Sequence, residues 1–166
     1  LDPDRLRVRF EARFLWAHSL LHLGGSARAW SEFRELDQEI VDLEAGFLLR
    51  IRYWNSRTVL GLDLLIEHDL AALRLEELLG EAEAGKLIEQ GDEAARTIGG
   101  AWGTLAMQRI LTGAPADGLP FLDRALAALG ENSRSLIWKT LALLRAGRAP
   151  SEAATMGSEY GAQRRS

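Results

Sequence analysis

His18 and His22 stand four residues apart, the spacing that sets two imidazoles on one face of a helix as in a metal site. Glu11, earlier in the same segment, is an oxygen donor on that helix. The zinc-protease pattern HExxH requires a Glu directly after the first His; Ser19 stands there, and no third ligand can be identified. The pair therefore reads as a partly buried pair in a hairpin seam, and no metal is expected. His68, between Glu67 and Asp69, reads as a solvated residue of a charged helix face. The Gly-rich stretch IGGAWG (98–103) follows a helical segment instead of a strand. It lacks both the Lys-Ser/Thr of a phosphate loop and the spacing of a dinucleotide fingerprint. Gly100 and Gly103 are instead expected to leave room for a neighbouring helix. The carboxylates of EELLGEAEAGKLIE form a solvated acidic face, no G-x-S-x-G elbow occurs, and cysteine is absent. Neither catalysis nor a cofactor is expected.

The local charge anomaly is basic. Arg50, Arg52 and Arg57 flank Tyr53, Trp54 and Asn55, and Arg5, Arg7, Arg9 and Arg13 line the first helix. Guanidinium forks beside aromatic rings suit bidentate contact with carboxylates. Arg50, Arg52, Tyr53, Trp54 and Arg57 are accordingly the expected partner-binding set, for an acidic or extended peptide. The competing use is internal, with these arginines paired to Glu11, Glu32, Glu35 or Glu44 to hold helices together. Some of Trp16, Trp30, Trp54, Trp102 and Trp138 are expected to fill helix seams, and one or two exposed ones would mark a contact surface.

These residues sit in a chain of 166 residues, 47% hydrophobic and 27% charged, with a net charge of -4. That length suits one domain with a sizeable core, and the richness in Leu, Ala, Glu and Arg favours helix throughout. The acidic balance (pI about 5.5) argues against a nucleic-acid partner. No apolar run approaches the ~20 residues of a membrane span, so no membrane partner is expected and a cytoplasmic location is the default. The first residue is Leu1 and not Met, which reads as a trimmed terminus or a piece of a longer protein.

The elements follow from periodicity. Leu6, Phe10, Phe14, Ala17 and Leu21 form a helical stripe over residues 4–23. Gly24-Gly25 ends that helix, and Ser26 is placed as the cap of the next, which runs through Trp30, Phe33, Leu36 and Ile40. The stretch from Glu44 could alternate as a strand over 49–53, but no partner strand exists elsewhere, so helix is expected. Gly61 is expected to punctuate, followed by an amphipathic helix from Asp63 to Gly80 and a short helix over 82–90. Asp92 caps the Trp102 helix, Ala116-Asp117 opens the next, and Asn132-Ser133 caps a helix through Leu144. The domain is expected to span 1–157, with a polar tail over 158–166.

Trp102, Leu105, Ala106, Gly113, Gly118, Leu122 and Ala125 share a further spacing. Trp16, Ala17, Gly24, Ala29 and Phe33 repeat most of it, and Gly113 and Gly147 lie 34 residues apart. This pattern resembles the tetratricopeptide repeat, best over 99–132, moderately over 10–43 and weakly over 133–166, with residues 44–91 departing from it. The resemblance implies an all-α fold of eight or nine antiparallel helices, stacked in hairpins as a right-handed superhelix, with the first helix of each pair facing a concave groove. It implies a non-catalytic protein-interaction module, as in bacterial regulatory proteins, able to self-associate through the ends of the stack. The alternative is a helical effector-binding domain that encloses a small molecule between Trp54 and Trp102.

Overall fold

A computed structural model describes residues 2–43, 46–130 and 133–147, without the side chains at 3, 42 and 133–137. Among these residues the protein is all-α. Its helices are α1 (Pro3–His22), α2 (Ser26–Asp42), α3 (Phe47–Leu64), α4 (His68–Ala84), α5 (Asp92–Leu111), α6 (Pro115–Leu129) and α7 (Ser133–Arg145), with a 3-10 turn at Leu87–Gln90. Sequential helices pack as antiparallel pairs, α1 with α2, α2 with α3, α5 with α6 and α6 with α7. The chain forms two compact units, residues 1–78 and residues 79 onward, and the division falls inside α4.

The turn glycines behave as the spacing predicts. Gly24, Gly113 and Gly147 all adopt positive φ (80°, 96° and 68°) just past a helix end, where a side chain would be strained. After α1, the Gly25 N–H donates to Leu20 O at 2.8 Å and the Gly24 N–H to Leu21 O at 3.3 Å, satisfying carbonyls left over by the last turn. At the other end of α1 the Asp2 carboxylate accepts from the Asp4 N–H at 3.1 Å.

Other boundaries differ from expectation. Ser26 and Asp92 are the first helical residues of α2 and α5, and the caps are Gly25 and Gly91, neither with a side-chain hydrogen bond. α6 opens at Pro115, whose ring presets the helical φ. The segment 82–90 holds the end of α4 and the 3-10 turn, not a separate α-helix. The cap at Asn132, the last residues of the expected domain up to 157 and the tail over 158–166 lie outside the described residues. Gly61 does not end a helix. It lies inside α3, and the chain breaks later, at Leu65 (φ 56°) and Glu67 (φ 47°). The Ile66 N–H donates to Gly61 O at 2.9 Å and the Leu65 N–H to Leu62 O at 3.3 Å, a left-handed helix stop made by leucine. Gly61 serves the same turn by its missing side chain. A Cβ there would lie 2.8 Å from Ile66 O and 2.9 Å from His68 Cα, so the chain folds back over bare backbone.

In the N-terminal unit the core is aromatic. Phe10, Phe14, Phe33 and Tyr53 are buried and pack ring on ring at 5.5–6.4 Å. Leu36, Ile40 and Leu60 complete it, with Leu21, Trp30 and Trp54 half-buried at its margin. In the C-terminal unit Ala101, Leu105, Ala106, Leu122 and Ala125 are buried, and the α5–α6 seam holds Gly118 against Ala106 and one stacked pair, Trp102 and Phe121, at 5.4 Å.

Candidate functional site

α3 is a helix with 100° between successive residues, so its five expected contact residues cannot share one surface. Arg50 and Arg52, two apart, project to sides about 160° apart; Arg50 is half-buried and Arg52 exposed. Trp54 is half-buried, its ring edge-on to Tyr53 at 5.2 Å. Tyr53 and Arg57 face inward, Tyr53 fully buried and Arg57 2% exposed. These two do not present a surface to a partner; they bind α3 to α2.

Asp37 of α2 is the centre of that attachment. The Tyr53 hydroxyl donates to Asp37 Oδ1 at 2.6 Å and lies 2.8 Å from Phe33 O. Arg57 reaches both oxygens of Asp37 through Nε and Nη2 at 3.3–3.4 Å, and Glu67 Oε2 through Nη2 at 3.1 Å. Its Nη1 finds no hydrogen-bond acceptor among the described residues. The guanidinium lies 3.9 Å from the centre of the Trp30 ring, whose negative face offsets part of the buried charge. Burial, then the Asp37 carboxylate, pushes the Tyr53 hydroxyl far above its ordinary pKa. Asp37 was not singled out by the sequence reading. The signal that could have found it is a carboxylate at the edge of the apolar stripe Phe33, Leu36, Ile40 of α2, a position that Glu32 shares on the opposite edge.

The arginines of α1 are also used internally. Arg13 pairs with Glu35 Oε2 at 2.6 Å, Glu32 Oε2 at 3.3 Å and Glu39. Burial opposes its charge, but the three carboxylates outweigh that effect and raise its pKa. Arg9 meets Glu39 at 3.4 Å, and Arg7 meets Glu11 at 2.9 Å. Glu11, Glu32 and Glu35 are thus engaged by arginines of α1, while the α3 arginine Arg57 uses Asp37 and Glu67; Glu44 lies outside the described residues.

On another flank of α1, His22 Nε2 lies 3.0 Å from His18 Nε2, with the rings 4.5 Å apart and nearly perpendicular. His18 Nδ1 is 3.2 Å from Ser56 Oγ on α3. Burial, then the neighbouring His22, lowers the His18 pKa. No group of three or more His, Asp or Glu side chains gathers as a metal site among the described residues. His68 is not the solvated residue expected: it is half-buried, its Nδ1 3.0 Å from Asp69 Oδ1.

In the C-terminal unit Trp102 is sealed. It stacks on Phe121, Arg124 lies 4.7 Å from its ring centre, and Arg124 also meets Glu83 at 3.4 Å. Trp102 is buried, so it is a packing residue in this structure. The Gly-rich stretch also resolves differently from expectation. Gly99 is the close-approach glycine, where a Cβ would come 2.6 Å from Leu129 Cγ, whereas Gly100 and Gly103 have nothing within 4 Å.

Among the described residues no helix is long and apolar enough to cross a membrane. No protein-family model, curated protein or solved structure matches the chain.

Proposed function

We propose that the protein is a non-catalytic interaction module, built from helical hairpins of the tetratricopeptide type stacked as a right-handed superhelix, that holds an apolar segment of a partner protein. The repeat reading is supported by the positive-φ glycines at 24, 113 and 147 and by the antiparallel pairing of sequential helices. The binding reading rests on one observation, the outer face of α1. Val8, Leu15, Trp16 and Leu23 are 66%, 61%, 47% and 81% exposed along a single side of that helix. The stripe is about 22 Å long at 1.5 Å per residue, enough for four turns of an amphipathic partner helix. Arg28 of α2 lies 5.5 Å from the Trp16 ring centre, holding a cation at the edge of the apolar strip. Exposed apolar side chains gathered on one face, here with Ala12 and Ser19 between them, are a common feature of a protein contact surface. This reading moves the contact from the five α3 residues to α1, and leaves Tyr53 and Arg57 as the internal supports of the hairpin.

A photoactivatable benzoylphenylalanine at position 15, with a second variant carrying it at exposed position 127 of α6, tests the proposal in cell extract. A discrete crosslinked product is expected from position 15 alone, competed by excess unlabelled protein and lost in Trp16→Ser with helix content unchanged. Equal products from both positions, or none from position 15, would retire it.

A further inference from the structure

We infer that His18 and His22 form a two-imidazole chelate for a late divalent transition metal, with Cu2+ preferred over Ni2+ and Zn2+. The site is distinct from the apolar face of α1 and does not depend on it. The two Nε2 atoms stand 3.0 Å apart across one turn of helix, close enough for both rings to turn toward one ion. Two imidazole nitrogens suit the late divalent transition metals, and the general affinity order for nitrogen ligands places Cu2+ above Ni2+ and Zn2+.

The hydrogen bonding fits the same chemistry. In the metal-free pair one Nε2–H donates to the other Nε2, so that proton must leave before both nitrogens can bind a metal. Chelation requires both protons at Nδ1 and both Nε2 lone pairs bare. Ser56 Oγ stands 3.2 Å from His18 Nδ1, where it accepts that proton and fixes the ring. His22 is exposed, so water serves the same role for its Nδ1 and gives the metal an entry path. Phe14, 6.0 Å from the His18 ring centre, packs against the inner side of the site. The two protein ligands leave the remaining coordination positions to water.

The full chain, cleared of metal with a chelator, is titrated with Cu2+, Ni2+ and Zn2+ separately at neutral pH. One equivalent of Cu2+ is expected to bind with an electron-paramagnetic signal carrying hyperfine structure from two nitrogens. His18→Gln and His22→Gln are each expected to weaken binding tenfold or more and remove one nitrogen from that signal. Ser56→Ala leaves both ligands and is expected to weaken binding several-fold, the effect of losing an orienting partner. The double variant His18→Gln/His22→Gln controls for other copper-binding groups, with circular dichroism confirming its fold. Unchanged Cu2+ affinity and signal in that folded double variant would overturn the proposal, as would Zn2+ binding at least as tightly as Cu2+.

Discussion

The two units make antiparallel helix pairs by opposite means. Around α1, α2 and α3 the space between helices is filled by rings, Phe10, Phe14, Phe33 and Tyr53, and sealed by a buried charge, Arg57, against Asp37 and Glu67. Between α5 and α6 the helices approach until backbone and small side chains meet. A Cβ at Gly118 would lie 3.0 Å from Ala106 O, and one at Gly99 would overlap Leu129. Wide spacing admits aromatic rings and polar groups that need directed partners. Close spacing leaves room for one stacked pair, Trp102 and Phe121, and otherwise relies on van der Waals contact. The N-terminal unit is therefore specified by particular hydrogen bonds, the C-terminal unit by shape.

That contrast can be broken at three places, taken from the largest effect to the smallest. Asp37→Ala leaves the Arg57 guanidinium buried with Glu67 as its remaining carboxylate. It should cost about 3 kcal/mol in urea unfolding, the low end for breaking a buried ion pair because Asp37 is itself partly exposed. Asp37→Leu combined with Arg57→Met should cost less than Asp37→Ala alone, since no charge is left stranded. If the single change costs nothing, the polar centre does not specify the unit. In the C-terminal unit, Gly99→Ala and Gly100→Ala should differ in sign. The first should lose about 1 kcal/mol by overpacking against Leu129 and Ala128. The second meets nothing within 4 Å and should gain about 0.5–1 kcal/mol from helix propensity. Equal thermal shifts for both would refute close packing at this seam. Tyr53→Phe removes a buried hydroxyl that burial and Asp37 hold far above the ordinary tyrosine pKa near 10. With the folded value above the unfolded one, its stabilisation is complete below pH 10 and is lost as pH rises beyond it. The parent should thus lose stability above pH 10 more steeply than Tyr53→Phe, which at neutral pH should be about 1 kcal/mol less stable.

Helices were legible wherever apolar residues recur at helical spacing and a Gly takes positive φ at the end, as at Gly24 and Gly113. The break between α3 and α4 was not, because it is made by Leu65 and Glu67 in a conformation that L-residues seldom adopt. The visible punctuation, Gly61, stands four residues too early; its role is room for the returning chain, which only the fold reveals. The α3 set was legible in its residue types and not in its direction. A run of Arg, Tyr, Trp and Arg looks like a binding surface until the 100° step turns Tyr53 and Arg57 inward. What decided their direction was Asp37, a residue of another helix that no spacing within α3 could reveal. The internal use of arginines was foreseen, but several of its partners were not: Asp37, Glu39 and Glu67 serve in addition to the glutamates expected.

The junction of Asp37, Tyr53 and Arg57 has a consequence for how such a chain can vary. One carboxylate serves two donors on α3, so a drift at any one of the three positions strands a polar group on the others. In related sequences these three positions should change together or not at all, with an apolar residue at 57 accompanied by apolar residues at 37. An exposed site such as Ala27 of α2, whose methyl group makes no polar bond, carries no such coupling and can drift by itself.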